Sequence, residues 1–211
     1  YNVPETVTSI YANFSKCQYL NCITIPKSVS DIGGYFPEEY FNCASLKEIN
    51  VDSNNTEFCS EDGVLFNKDK TKIICYPASK ESEEYSIPEG TTQVASLAKC
   101  KNLKRLTISS TARYISFTDL NECVSLEEIN VNSENTNFYS ENGVLFEIYS
   151  SGEKSLVCYP AGKKESSYVI PDGVTMIVGS LAHCRNLKTL TIPASVTSLS
   201  NSPFDGCKDL H

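Results

Sequence analysis

A single solenoid of stacked coils, each giving one short strand to a parallel sheet, is the fold class this sequence predicts. Three observations carry it. First, long strings recur at a superperiod of 80–84 residues: Phe41-Asn-Cys-Ala-Ser-Leu-Lys-Glu-Ile-Asn-Val51 returns around Cys123–Val131, and Cys100–Ile108 returns as Cys184–Ile192. Second, a shorter unit, C-x-x-L-x-x-[IL]-x-[IV], starts at Cys17, Cys43, Cys100, Cys123 and Cys184 and begins again at Cys207. Third, the apolar residues that would end each strand fall at Val3, Ile25, Val51, Ile87, Ile108, Val131, Ile170 and Ile192, most of them about 22 residues apart. Self-similarity at such a period marks units that bury their apolar faces only against their neighbours.

Within each unit the alternation apolar, polar, apolar is the period of a strand with one buried face. Leu46, Ile49 and Val51 should point inward, as should Leu103, Leu106 and Ile108, then Leu126, Ile129 and Val131. The intervening residues face outward and form the candidate binding face: Glu48, Asn50, Arg105, Thr107, Glu128, Asn130, Thr189 and Thr191. Pro26, Pro88, Pro171 and Pro193 end strands because proline brings no N–H to a ladder. The strands ending at Ile25, Val51, Ile87, Ile108, Val131, Ile170 and Ile192 are expected side by side in one sheet, in chain order. Segments such as Ser96–Cys100 and Phe204–Cys207 are too short for long helices and suggest irregular and brief helical turns on the outer side.

Two coil steps are long, and each reads as a β-hairpin insert, near 60–78 and 140–161. Val64-Leu65-Phe66 and Lys72–Tyr76 flank the polar tip Asn67–Thr71, and the second copy carries a longer tip containing Ser150-Ser-Gly152. Loop tips tolerate such growth. The whole, 1–211, is thus one domain of about seven to eight coils. It starts without Met and stops partway through a unit, as expected of a segment cut at one or both ends.

A formal charge of -8, with no basic run beyond Lys163-Lys164, argues against nucleic acid or an anionic membrane as partner. The longest apolar runs, such as Ile73–Tyr76, are far short of the ~20 residues that cross a bilayer, so membrane insertion by this segment is not expected.

The strings Ile192-Pro-Ala-Ser-Val-Thr-Ser-Leu199 and Phe204-x-x-Cys-x-x-Leu210, with the Gly63-Val-Leu-Phe66 to Tyr76-Pro-Ala78 insert, resemble the BspA-like leucine-rich repeats. The coil length lies in the ~20–29 residue range of leucine-rich repeats. The resemblance implies a curved leucine-rich-repeat solenoid on surface or secreted proteins of bacteria or protists, associated with adhesion, and no shared catalytic residues. Thr111-Ala-Arg-Tyr-Ile115 departs from the Ile-Pro-x-x-Val pattern. The fold expected is therefore a β-dominated α/β solenoid with a parallel sheet on one side, turns and short helical turns on the other, and two hairpin inserts.

Six of the ten cysteines hold one register of the coil, where a thiol packs as a small hydrophobe, so buried thiols are expected rather than a disulfide framework. Cys22 and Cys59 lie outside that register and are the candidates for reactivity. With only His183 and His211, and no converging Cys/His pairs, no zinc site is expected. His183 beside Cys184 corresponds to Lys99 in the earlier copy, which speaks for a solvated turn rather than a dyad. Asp52–Glu57 and Asn132–Asn137 offer oxygen ligands for calcium, but Asx turns account for such residues equally. The reading that follows is a non-enzymatic extracellular module that needs no cofactor and recognises a protein or glycan. A structural spacer and an accessory domain of an exported enzyme are the alternatives.

Overall fold

The computed structural model describes the chain except residues 34–42, 98, 116–119, 121, 182 and 201. Apart from one helical residue, Leu120, the regular structure among the described residues is strand: β1 (Ser9–Ile10), β2 (Cys22–Ile25), β3 (Asp31–Ile32), β4 (Glu48–Val51), β5 (Phe58–Glu61), β6 (Val64–Asn67), β7 (Lys72–Cys75), β8 (Glu84–Ser86), β9 (Gln93–Val94), β10 (Arg105–Ile108), β11 (Tyr114–Ile115), β12 (Glu128–Val131), β13 (Phe138–Glu141), β14 (Val144–Ile148), β15 (Lys154–Cys158), β16 (Ser167–Val169), β17 (Val174–Ser180), β18 (Thr189–Thr191) and β19 (Ser198–Leu199). The result is a β-solenoid of about eight turns. The expected helical turns and the α/β label are not found: the described residues of Ser96–Cys100 and Phe204–Cys207 form turns and bends. Their backbone groups bond to neighbouring coils, as in Tyr76 N–H to Ser96 O at 3.1 Å and His183 N–H to Asp205 O at 2.9 Å.

Each coil gives a strand to a first ladder, turns, at a proline after β2, β8, β16 and β18, and gives a strand to a second ladder. The Pro-x-x-Val strings are β-turns closed by an i to i+3 bond, from Val29 N–H to Pro26 O (3.3 Å) and Val196 N–H to Pro193 O (3.1 Å). In the first ladder Ile23 pairs with Ile49, and Leu106 with Ile129, all four without solvent exposure. Burying each such side chain contributes about 1.5–3 kcal/mol.

The first ladder is not one sheet. It breaks into β2-β4, β8-β10-β12 and β16-β18, where a single sheet in chain order was expected. The second ladder breaks at the same joints, into β1-β3, β11-β9-β7-β6-β5 and β13-β14-β15-β17-β19. The cause is the long segment at each joint. Its first turn wedges against the edge strand and takes the amides a next strand would have taken: Ile49 N–H bonds Gly63 O (2.9 Å) and Val51 N–H bonds Ser60 Oγ (3.0 Å). The second joint repeats this with Ile129 to Gly143 O (3.0 Å) and Val131 to Ser140 Oγ (3.1 Å).

The long segments are not appended hairpins. β5, β6 and β7 pair antiparallel, and β7 then joins parallel β9, so the segment belongs to the second ladder. β6 and β7 are buried on both faces, which explains their unbroken apolar runs. Leu65 and Ile74 pack into the N-terminal core, whereas Val64, Phe66 and Ile73 pack into the middle one. Likewise Leu145 and Val157 face the middle core, and Val144, Phe146 and Leu156 the C-terminal one. Each segment is an internal wall between compartments.

Asn55 and Asn135 tie the walls to the preceding coil. The fully buried Asn55 amide donates to Pro26 O and Val29 O (2.8 Å each) and its carbonyl accepts from Glu57 and Phe58 N–H. Asn135 repeats all four bonds, with Ser109 O and Ala112 O as acceptors. The stretches considered for calcium therefore hold backbone: Asp52 Oδ1 also accepts from Asn54 N–H at 2.8 Å. Among the described residues no three metal-ligating side chains converge.

Candidate functional site

The outward face of β8-β10-β12 brings four of the eight candidate residues together. In register, Glu84, Arg105 and Glu128 form one row across the three strands, and Ser86, Thr107 and Asn130 form the next. Arg105 makes an ion pair with Glu84, and that carboxylate first, then Glu128, holds its guanidinium further toward the charged form. Below the row, Lys104 bonds Glu83 at 2.7 Å and keeps its carboxyl under the ordinary range. At the other end Glu89 accepts from Ser110 N–H and Oγ, at 3.0 and 2.7 Å, which lowers its carboxyl too.

The other four candidates lie elsewhere. Glu48 and Asn50 sit on β4, beside Cys22 and Thr24 of β2. Thr189 and Thr191 sit on β18, paired with Ser167 and Val169. The wedged turns separate these blocks, so the eight residues are not one continuous surface. Sequence reasoning missed Glu84 and Ser86. The signal was present in the alternation Glu84-Tyr85-Ser86-Ile87, but that coil lacks the leading cysteine used to find the others.

At each joint the break leaves a shallow polar groove. The first, about 330 Å³, is lined by Glu48, Lys47, Asp62, Lys80 and Glu81 among others. The second, about 280 Å³, is lined by Glu128, Glu127, Asn142, Lys163, Lys164 and Glu165 with Gly143. Lys80 caps the Asp62 carbonyl, and Lys163 caps that of Asn142 at 2.8 Å. Both capped residues have a positive φ, 48° and 52°. The remaining charges are largely paired: Lys47 with Glu81 (2.6 Å) and Lys164 with Glu127 (3.3 Å).

The register cysteines act as donors between coils. Cys43 S–H reaches Cys17 O at 3.0 Å, Cys123 reaches Leu97 O at 3.0 Å, and Cys207 reaches Leu181 O at 2.6 Å. All ten cysteines are present as thiols. Burial, with Glu48 nearby, pushes the Cys22 thiol up, and burial does the same to Cys59, so neither is activated. His183 shares with Lys99 a left-handed backbone, φ 60° and 58°. Burial holds the adjacent Cys184 thiol in its neutral form, the opposite of what a Cys–His dyad requires.

The model of the BspA type leucine-rich repeat region matches six copies over residues 1–81, 75–143 and 158–211. The chain belongs to that family. Three solved structures share its fold. A leucine-rich cell surface protein from Faecalibacterium prausnitzii is 20% identical, with a TM-score of 0.57 over 99% of this chain and 67% of its own. The pneumococcal vaccine antigen PcpA is 25% identical, with a TM-score of 0.58 over 96% of this chain and 54% of its own. A leucine-rich repeat protein from Eubacterium ventriosum is 20% identical, with a TM-score of 0.55 over all of this chain and 59% of its own. The chain thus spans little more than half the length of the latter two. No curated protein matches the sequence. No described helix is long and apolar enough to cross a membrane.

Proposed function

We propose that this leucine-rich repeat segment is a non-enzymatic binding module of a cell-surface or secreted protein, recognising a protein or glycan through the outward face of β8-β10-β12. One observation carries the reading: Glu84, Arg105 and Glu128 beside Ser86, Thr107 and Asn130 present charge, hydroxyl and amide groups on a rigid sheet and belong to none of the core clusters. Extended repeat surfaces of this kind suit macromolecules better than small ligands, which favour enclosed apolar pockets. The Faecalibacterium neighbour is a cell surface protein and the pneumococcal one a vaccine antigen, which supports an exposed location.

The test is a binding screen against extracellular-matrix proteins and glycan arrays, followed by R105E/E128K on any hit. The double variant should weaken binding while leaving the fold intact, since neither side chain is buried. Turnover of a small-molecule substrate by the purified segment, without macromolecular binding, would overturn the proposal. A second reading, a structural spacer, is favoured by one feature: Arg105 and Lys104 are already neutralised by Glu84 and Glu83. A failed screen would support the spacer.

A further inference from the structure

The outward rows of β8-β10-β12 follow one charge pattern. Glu84, Arg105 and Glu128 stand in register across the three strands, carboxylate, cation, carboxylate. The residues just before them repeat it: Lys104 N–H bonds Glu83 O at 2.7 Å and Glu127 N–H bonds Lys104 O at 2.8 Å, so Glu83, Lys104 and Glu127 also lie side by side. In both rows the middle strand supplies the cation and both outer strands supply carboxylates.

Both cations lean to the same side. Lys104 pairs with Glu83 at 2.7 Å and Arg105 with Glu84, each toward β8. Toward β12, Glu127 is met at 3.3 Å by Lys164, whose side chain is 80% exposed, and Glu128 forms no ion pair among the described residues. Glu89, past the end of β8, accepts from Ser110 N–H and Oγ and from Asn132 Nδ2, donors without charge. The face therefore keeps a surplus of negative charge. The coil does not require it: one block on, the positions of Glu84, Ser86, Arg105 and Thr107 hold Ser167, Val169, Thr189 and Thr191, and β16 and β18 pair in the same register.

Exposed charge contributes little to folding. It acts on what approaches, drawing in the opposite sign and repelling its own. We propose that the partner of this face is a protein segment rich in lysine and arginine, whose cations meet Glu128 and Glu89, and not an anionic glycan. Between those carboxylates the row Ser86, Thr107 and Asn130 offers hydroxyl and amide groups to the backbone of that segment. Arg105, on the middle strand, repels the same cations and so confines them to the carboxylates on either side. This inference rests on the binding reading above and decides between the two partner classes named there.

The purified chain is titrated with an oligo-lysine peptide and, separately, with heparin, each at low and at physiological salt. The peptide should bind and be released as salt rises, and heparin should not bind. Because the whole chain carries a formal charge of -8, position has to be separated from charge. E89Q/E128Q should weaken peptide binding about fivefold, whereas E5Q/D172N, the same charge change at exposed positions of other blocks, should leave it within about twofold. R105Q, which removes a cation from the same row and frees Glu84, should tighten it. Opposite signs from neighbouring residues do not arise from unfolding. Equal weakening by the two double variants, weakening by R105Q, or binding of heparin in place of the peptide overturns the inference, and heparin binding that R105Q abolishes leaves the binding face standing. Absence of binding to both probes also overturns it, and the wider screen then decides the binding reading by itself.

Discussion

The two joints, residues 48–86 and 128–169, are built with the same internal parts and different surfaces. Both have a buried asparagine with four hydrogen bonds, Asn55 and Asn135. Each also has a wedged glycine, Gly63 or Gly143, and a lysine that caps the wedge, Lys80 or Lys163. A tilted tyrosine pair follows, Tyr76–Tyr85 or Tyr159–Tyr168, with ring centroids 4.8 and 5.0 Å apart. The outward positions that open each joint are shared, Glu48 and Asn50 matching Glu128 and Asn130, but those that close it are not: Glu81, Glu84 and Ser86 of the first joint correspond to Lys164, Ser167 and Val169 of the second. The internal parts hold the stack, and the outward residues distinguish one block from the next.

The largest test of that equivalence is Asn55→Ala against Asn135→Ala. Each removes two donors from buried carbonyls and an acceptor from two amides, so each should cost about 3 kcal/mol in urea unfolding. A large effect at one joint only would break the comparison. Gly63→Ala and Gly143→Ala come next, at about 1–3 kcal/mol, since both force a side chain onto a positive φ. Gly63→Ala should cost more: its Cβ would lie 2.8 Å from Glu48 Cβ, against 3.0 Å from the more pliant Glu128 Cγ at Gly143. Lys80→Met and Lys163→Met each remove one capping bond and should cost about 1 kcal/mol by thermal unfolding.

The smallest effect is in pH. Lys47 and Lys104 hold Glu81 and Glu83 below the ordinary carboxylate range, so their contribution is present above the unfolded pKa and is lost as pH falls through the folded one. Hydrogen exchange measured through the acid range should therefore rise more at residues 81–84 than at 164–167. There Glu165 alone is lowered, first by its own backbone N–H.

The repeat and the inward ladders were legible because each coil repeats its apolar spacing locally. The breaks in the sheet were not. Val64-Leu65-Phe66 reads the same whether it forms an exposed hairpin or a wall, and burial on both sides depends on coils distant in sequence. Asn55 looked like one of several turn-forming polar residues for the same reason, because its acceptors lie 26 and 29 residues earlier. On the outward face of β8-β10-β12, Arg105, Thr107, Glu128 and Asn130 were placed outward from alternation alone, while their neighbour Glu84 lay in a coil without the cysteine marker.

The walls also set how such a chain can change length. Because one side of a wall completes the compartment before it and the other side opens the compartment after it, a stretch running from wall to wall ends on the same kind of surface with which it began. Insertion or removal of a whole superperiod therefore joins matching faces and leaves no interior uncovered. Loss of a single coil would oppose a wall to a partner of the wrong shape. Tandem copying of the larger unit is thus the change this architecture accommodates, with each new copy adding an outward block whose chemistry can drift separately from the rest.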